Sequence, residues 1–422
     1  MHRTNSKRIV NRCLALILGV TAPLVSHSSE TWNYNEFMQS VLSSNPRIEE
    51  AASQIKGKAI GVQAVQDSWK PSFSVDGDTT SRSGGSGASG TVRMPLFTFG
   101  KTEAELAAAM KEQHEKQARY IQVIEDVSEE VTLTYANYYI LSRKVTVARR
   151  NYTDHLKILK RSQERKQAEL VADGEHKSLQ SRVLQAKSKV QELGRDLTTQ
   201  HQKLENYLQK KVAEFMPMED SDIYFDKSSA SIDKNPLVRL YQSKVELAEA
   251  EIAKATKLEA PTLEAYASHG TSGVNYGNSG SRVGVRFTYQ FGQAGSRSRN
   301  AVELARNARD SAELAMQNAR MEAQTKLDVA AAALPSIEDR IQNQVDVIEA
   351  LEASAASVSR LYFAGRKSLL ELLNIQRELS DARLLMVDLE SEKISNYIRV
   401  RAAAGVLAVR HKAKDSMGAK ND

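Results

Sequence analysis

Residues 282–291 read RVGVRFTYQF, a stretch in which polar or glycine positions alternate strictly with apolar ones. Because successive side chains of a strand point to opposite sides, this pattern predicts a strand with one apolar and one polar face. A weaker alternation over residues 262–268 and a glycine-rich tip over 270–280 complete a predicted hairpin at about residues 261–291. The apolar positions of the decisive stretch are Val283, Val285, Phe287, Tyr289 and Phe291.

The layout around this hairpin occurs twice in the chain. The dipeptide Asn45-Pro46 returns about 190 residues later as Asn235-Pro236. That spacing is too long for one unit of a solenoid, whose repeats run to roughly 20–50 residues. We therefore predict two repeats, each with a short helical lead, a hairpin and a long helical stretch. The predicted bounds are residues 29–214 for the first repeat, with its hairpin at about 71–99, residues 215–233 for a linker, and residues 234–409 for the second repeat.

The alternation in the second hairpin is typical of strands that have lipid on one side and water on the other. A soluble, half-buried strand shows the same pattern, but no other segment of the chain could supply a second sheet to cover the apolar side. We therefore predict that the five apolar residues at 283–291 face lipid. Lipid tolerates no open sheet edge, and four strands are too few to close a barrel, so several chains must share one barrel.

A long helical pattern follows each hairpin, over residues 101–213 and again over residues 293–409. A sustained spacing of three and four residues predicts helices that wind around each other as coiled coils. His155 falls on this seam, and no second ligand stands near it, so we assign it to packing rather than to a metal site. The seam residues of the first long helix are Ile124, Val127, Val131, Thr134, Tyr138, Leu141, Val145, Ala148, Tyr152, His155 and Leu159.

The N-terminal segment has the features of a secretory signal peptide, predicted over residues 1–28. Four basic residues precede an apolar run at residues 14–25, and small residues follow at 26–28. The formal net charge of the whole chain is +6, and removal of the four basic residues leaves +2. This small excess, part of it in a basic tail at residues 410–422, does not indicate nucleic-acid binding, which requires a clustered basic surface.

No catalytic or cofactor-binding constellation is visible in the sequence. The single cysteine, Cys13, lies in the predicted signal peptide, which excludes disulfides and thiolate metal sites from the remaining chain. The sequence Gly100-Lys101-Thr102 is the end of a phosphate-binding loop motif, but Pro95 stands where the first glycine is required. We therefore predict a protein that is not an enzyme and that has no catalytic residue, metal or cofactor.

Taken together, the motifs resemble those of the TolC-like family of outer-membrane export channels over nearly the whole chain after the signal peptide. The Asn-Pro dipeptides are the first of these motifs. The others are MPLFTFG at residues 94–100, its weaker counterpart FTYQFG at residues 287–292, and YFAGRKSLLELLN at residues 362–374.

The resemblance implies a mainly α fold with a small β part and a homotrimeric assembly. In this family each chain contributes four strands to one twelve-stranded barrel in the outer membrane, and long helices continue from it as a tunnel across the periplasm. The channel is passive. Its implied partners are outer-membrane lipid, a periplasmic adaptor protein and an inner-membrane pump, driven either by ATP as an ABC exporter or by protons.

The resemblance also implies a gate at the periplasmic end of the tunnel. The positions that match the closing residues of the family are Tyr362, Lys367, Glu371 and Asn374. This chain departs from the family pattern, because lysine replaces the usual arginine and Asn374 replaces a second acid. Lysine cannot form the planar, bidentate bond that arginine forms with a carboxylate. The alternative is that these four residues only cap and pack a helix turn.

Three functional interpretations remain open from the sequence. The first is an exit duct for type I protein secretion. It is favoured by the Lys- and Gln-rich helices and by Asn374, which leaves fewer acidic residues in the ring that the family places around the gate. The second is an exit duct for small-molecule efflux. The third, of another class, is a periplasmic coiled-coil adaptor or scaffold, which shares the signal peptide and the heptads but leaves the two hairpins unexplained.

Overall fold

The computed structural model of the chain describes residues 31–79, 86–168, 172–219, 222, 231–270, 280–289 and 296–407. The predicted signal peptide and the predicted basic tail lie outside these residues. In chain order the elements are β1 (Thr31–Trp32), α1 (Tyr34–Ser44), α2 (Pro46–Asp67), β2 (Ser72–Thr79), β3 (Ser86–Phe97), α3 (Lys101–Gln167), α4 (Asp173–Leu208), β4 (Glu214–Phe215), α5 (Pro236–Thr256), β5 (Thr262–Gly270), β6 (Gly280–Thr288), α6 (Ser296–Phe363) and α7 (Leu369–Ala403). A single 3₁₀ turn, Ile232–Lys234, precedes α5.

Four long helices dominate the molecule and form two antiparallel hairpins, α3 with α4 and α6 with α7. Helix α3 has 67 residues and α6 has 68. At 1.5 Å per residue each extends about 100 Å from the end near the sheet to its far end. Helix α6 continues through Pro335 without interruption. The predicted mainly α fold, with two copies of a helix, a β-hairpin and a long helical hairpin, is confirmed.

The predicted coiled-coil seam is buried along α3. Seven of its eleven positions are buried and the other four are half-buried. His155 is among the buried ones, at 7% exposure, as expected of a packing residue. The strand β4 crosses the predicted boundary between residues 214 and 215, because it pairs in parallel with β1 at the start of the described chain.

The two β-hairpins, β2 with β3 and β5 with β6, join into one antiparallel sheet with the order β2-β3-β5-β6. Strand β3 pairs with β5 from Ser89 opposite Gly270 to Phe97 opposite Leu263. The register shifts between Pro95 and Phe97. Proline has no N–H to donate to a neighbouring strand, so a bulge at this position is expected. Strands β2 and β6 form the two edges of the sheet.

The largest hydrophobic core lies midway along the helices, where α1, β4 and α7 pack on α3. Tyr135 of α3 is at its centre, with 0% of its surface exposed. Its ring packs against those of Tyr34, Phe37 and Phe215, at centroid distances of 5.4, 5.3 and 5.9 Å. Its hydroxyl donates a hydrogen bond to the carbonyl oxygen of Met216 at 2.7 Å.

The two Asn-Pro dipeptides start α2 and α5 in the same way but have different surroundings. The side-chain oxygen of Asn45 accepts a hydrogen bond from the backbone N–H of Arg47 at 3.0 Å. That of Asn235 accepts from the N–H groups of Leu237 and Val238 at 2.8 and 3.3 Å. Asn235 is buried, and its amide also donates to the carbonyl oxygen of Ala403 at 2.7 Å. Asn235 therefore joins the start of α5 to the end of α7.

This difference predicts unequal effects of two matched substitutions. Asn235→Ala is expected to lower the free energy of unfolding by about 2–4 kcal/mol, because it removes a helix cap and leaves the buried carbonyl of Ala403 without a partner. Asn45→Ala removes only a cap and is expected to lower it by about 1 kcal/mol. Denaturant unfolding followed by circular dichroism measures both. Equal effects would contradict the linking role of Asn235.

Candidate functional site

The apolar face of the four-stranded sheet is exposed. On this face Val283 is 85% exposed, Phe73 is 71% exposed and Val92 is 41% exposed. The opposite face carries polar side chains and is more enclosed: Thr91 is buried, and Arg93 and Tyr266 are half-buried. A sheet of a water-soluble protein has the reverse arrangement, because burial of apolar area is what stabilises it.

Four of the five predicted lipid-facing residues are described. Val283, Val285 and Phe287 lie on the apolar face of β6, and Tyr289 follows the strand. All four have more than half of their surface exposed. Phe291 lies outside the described residues. Their exposure meets one requirement of lipid contact, and the contact itself stays a prediction.

An aromatic cluster marks the end of the sheet next to the helices. The ring of Phe99 lies between those of Phe97 and Phe287, at centroid distances of 4.7 and 6.3 Å. Phe99 and Gly100 both have positive φ, 51° and 85°, and this turns the chain from β3 into α3. A non-glycine residue rarely adopts this conformation, so the turn constrains the position of the Phe99 ring.

At the far end of the helices, Tyr362 joins the two helical hairpins. Its side chain is buried in an apolar cluster with Ile158, Leu179 and Leu372. Burial raises the pKa of its phenol, and the charge of Glu175 raises it further. The guanidinium group of Arg165, at the end of α3, donates to the carbonyl oxygen of Tyr362 at 3.1 Å and lies 5.4 Å from the centre of its ring.

The other three predicted gate residues lie on the turn into α7 and on its first turns. The Lys367 ammonium group donates to Glu371 at 2.7 Å. Glu371 also accepts from the backbone N–H of Ser368 at 3.0 Å, and the Ser368 hydroxyl caps the helix in return. Asn374 lies one turn further on and is half-buried. Lysine therefore pairs within its own turn.

These bonds lower the pKa of Glu371 to about 2, with the hydrogen bond from Lys367 as the largest cause and that from Ser368 next. A carboxyl group whose pKa falls on folding stabilises the folded state above its unfolded value of 4.5, and this contribution disappears as the pH falls toward 2.

Glu371→Gln should therefore lower the melting temperature at pH 7, and the difference from the wild type should vanish as the pH approaches 2. Thermal unfolding at a series of pH values measures this. Glu378→Gln is the control, because Glu378 is exposed on the same helix and forms no ion pair within the described ranges. A pH-independent difference for Glu371→Gln would contradict the prediction.

Further ion pairs join the first helical hairpin, α3 with α4, to the second, α6 with α7. Glu352 of α6 accepts from Arg150 of α3 at 3.3 Å and from Arg383 of α7 at 2.5 Å. The bond from Arg383 is the main reason that the pKa of Glu352 is lowered. Arg143 of α3 pairs with Glu390 of α7 at 2.8 Å. The two hairpins are thus held together along their far halves.

The sequence-based prediction of the gate omitted two arginines of the first repeat. Arg165 contacts Tyr362, and Arg161 lies 5.1 Å from the centre of the adjacent Phe363 ring. Both belong to a basic run that ends α3, and this run could have been paired with the aromatic dipeptide that ends α6. Within the residues that the structure describes, no cluster of three His, Cys, Asp or Glu residues could hold a metal ion.

None of the described helices is both long enough and apolar enough to cross a membrane.

A sequence model of the family described as "Outer membrane efflux protein" matches residues 37–209 and 228–406, which is more than half of the chain. No protein with a curated description matches the sequence.

Several solved structures share the fold. The outer membrane protein VceC from Vibrio cholerae superposes with a TM-score of 0.76 at 14% identity, over 88% of this chain and 95% of that one. The CmeC outer membrane channel of Campylobacter jejuni superposes with a TM-score of 0.75 at 15% identity, over 90% and 89% of the two chains. The open MtrE outer membrane channel of Neisseria gonorrhoeae gives 0.73 at 15% identity, over 88% of each chain. At these identities the likeness concerns the fold.

Proposed function

This chain belongs to the outer membrane efflux protein family, and from that premise we propose that it forms the passive outer-membrane exit duct of a tripartite export system. Proteins of this family are outer-membrane channels that extend into the periplasm, and they are not enzymes. They act as trimers together with a periplasmic adaptor and an inner-membrane pump. The soluble adaptor or scaffold considered above is therefore set aside.

The observation that carries the proposal is the exposed apolar face of the sheet. Val283, Phe73 and their neighbours would lose contact with water in a bilayer, and each buried CH₂ group contributes about 0.8 kcal/mol. The aromatic cluster of Phe97, Phe99 and Phe287 at the edge of this face matches the aromatic girdle found at the membrane–water boundary of such barrels.

The open edges of the sheet support a shared barrel. Strands β2 and β6 each have one side without a partner strand in the described part of a single chain. Unpaired backbone groups cost several kcal/mol each in hydrocarbon, so β2 of one chain must pair with β6 of the next. Three copies give twelve strands. Because proteins of this family act as trimers, a homotrimer is the proposed assembly, with the helical hairpins continuing as the tunnel wall.

Native mass measurement of the detergent-extracted protein from an outer-membrane fraction tests this proposal. The expected result is a discrete trimer that needs detergent to stay in solution and that forms conducting channels in a planar bilayer. A monomer or dimer that osmotic shock releases without detergent would overturn it.

Two kinds of cargo are proposed for the duct. The description of the family as efflux proteins supports small molecules such as drugs. The replacement of one gate acid by Asn374 supports type I protein secretion, because it lowers the negative charge that a polypeptide would meet at the tunnel entrance. Deletion of the gene distinguishes them: greater sensitivity to toxic small molecules indicates efflux, and loss of a protein from the medium indicates secretion.

We also propose that Tyr362, Lys367, Glu371 and Asn374 form the periplasmic gate. Support comes from the position of Tyr362, which packs against Arg165 of the other hairpin, and from the Lys367–Glu371 ion pair that caps the turn behind it. The Lys367→Ala/Glu371→Ala variant should raise single-channel conductance several-fold. Arg366→Ala/Glu378→Ala, which removes the same charges from neighbouring exposed positions, should leave it unchanged. Unchanged conductance in the first variant would contradict the gate.

A further inference from the structure

The polar face of the sheet is ordered into levels by the strand register. Residues directly opposite one another on neighbouring strands share a level, and successive levels on one face are about 6.6 Å apart along a strand. From the helical end outward, the first level contains Arg286, Glu264 and Pro95. The second contains Gly284, Tyr266, Arg93 and Ser72, and the third contains Arg282, Ser268, Thr91 and Ser74.

The second and third levels each contain one arginine and no acidic residue. Acidic residues of this face lie at other levels, with Glu264 at the first and Asp76 above the third. Arg93 and Arg282 form no ion pair within the described residues. The Nε atom of Arg93 is buried and has no hydrogen-bond partner there. The positive charge of these two levels is therefore not neutralised by the residues that the structure describes.

A third arginine, Arg286 of the first level, contacts the ring of Tyr266 in the second level. The guanidinium group of Arg286 lies 4.9 Å from the centre of the Tyr266 ring, although Glu264 stands directly opposite Arg286 on β5. The ring can lie across β6 because Gly284 has no side chain: a Cβ atom there would stand 3.1 Å from the tyrosine hydroxyl. Such a cation–π contact leaves the charge of the arginine available, whereas a salt bridge to Glu264 would cancel it.

We propose that Arg93 and Arg282 form a basic belt inside the barrel that makes the duct select for anions and anionic cargo. This inference rests on the proposed function, because it requires the polar face to line a water-filled lumen. A threefold barrel would carry three copies of each arginine, on two adjacent levels. Low-dielectric walls around a pore concentrate the field of such charges and raise the local concentration of the opposite ion.

Ion selectivity in planar bilayers tests the belt. With a KCl gradient across the bilayer, the wild-type trimer is expected to have a chloride-to-potassium permeability ratio above one. Arg93→Gln/Arg282→Gln should lower this ratio several-fold, and Arg93→Lys/Arg282→Lys should keep it, since lysine retains the charge. Arg282→Gln alone alters an exposed residue and should produce a smaller decrease even if the double variant does not fold.

Arg195→Gln is the matched control, because it removes the same charge from an exposed position on α4, away from the sheet. An unchanged ratio in both glutamine variants of the belt, or an equal decrease in Arg195→Gln, would overturn the belt while leaving the duct intact. A folded trimer that forms no channel would instead contradict the proposed function, and the belt with it.

Discussion

Replacing Gly405 by alanine is expected to lower the free energy of unfolding by about 2–5 kcal/mol, more than any other substitution to alanine among the described glycines. Gly405 has φ +67°, a left-handed conformation that L side chains rarely adopt. A Cβ atom at this position would lie 2.6 Å from Cδ of Pro236 and 2.8 Å from the carbonyl oxygen of Lys234. Neither neighbour can move easily, because one belongs to a proline ring and the other to the backbone.

Gly365→Ala separates the two causes of this loss of stability, the left-handed backbone conformation and the steric clash of the Cβ atom. Gly365 also has a left-handed conformation, φ +73°, but nothing lies within 4 Å of the Cβ position. Its substitution should therefore lower the free energy of unfolding by only about 1–2 kcal/mol, the backbone contribution alone. Denaturant unfolding of the two variants measures the difference. Equal effects would mean that the junction between α5 and the end of α7 yields to the extra methyl group.

Replacing Tyr135 by alanine is expected to lower the free energy of unfolding by about 3–5 kcal/mol, because it removes a fully buried ring from the largest core. Tyr135→Phe keeps the ring and removes only the hydroxyl. It should lower the free energy of unfolding by about 1–2 kcal/mol, since the carbonyl oxygen of Met216 loses its donor at 2.7 Å.

Thermal and denaturant unfolding of the purified variants measures both effects of the Tyr135 substitutions. Tyr139 provides a control on the same helix, because it is only half-buried. Tyr139→Ala should have a clearly smaller effect than Tyr135→Ala. If the two alanine variants were equally stable, the contact of α1, β4 and α3 around Tyr135 could not be the centre of the core.

Regular elements were predictable because each depends on a short sequence period. The strict alternation at residues 282–291 predicted β6, and the spacing of three and four residues predicted α3 with its buried seam. The breaks were predictable for similar local reasons. Proline disfavours a helical conformation for the residue before it, which is why α2 and α5 begin at Pro46 and Pro236, directly after Asn45 and Asn235. What these patterns could not give is which elements meet.

In the candidate gate too, contacts within one segment were predictable from the sequence and contacts between distant segments were not. Tyr362, Lys367 and Glu371 were found from one continuous motif, and Lys367 and Glu371 meet because they are one helical turn apart. Arg165 was missed because it lies 197 residues before Tyr362, and only the packing of the two hairpins brings them together. Likewise, both arginines of the basic belt are visible in the sequence, but their levels follow from the strand register.

The sequence alone was sufficient for the long helices, the two β-hairpins, the two-repeat order and the faces of the strands, because local periodicity decides which side chains share a face. It did not predict the short strands β1 and β4, which pair across more than 180 residues. Only the tertiary structure decided that Asn235 holds the end of α7 while Asn45 merely caps a helix, and that Arg286 lies over Tyr266 rather than pairing with Glu264. Contacts of this kind depend on the packing of whole elements. The Tyr266 ring fits over Gly284 because glycine has no side chain, and Asn235 donates to the buried carbonyl oxygen of Ala403.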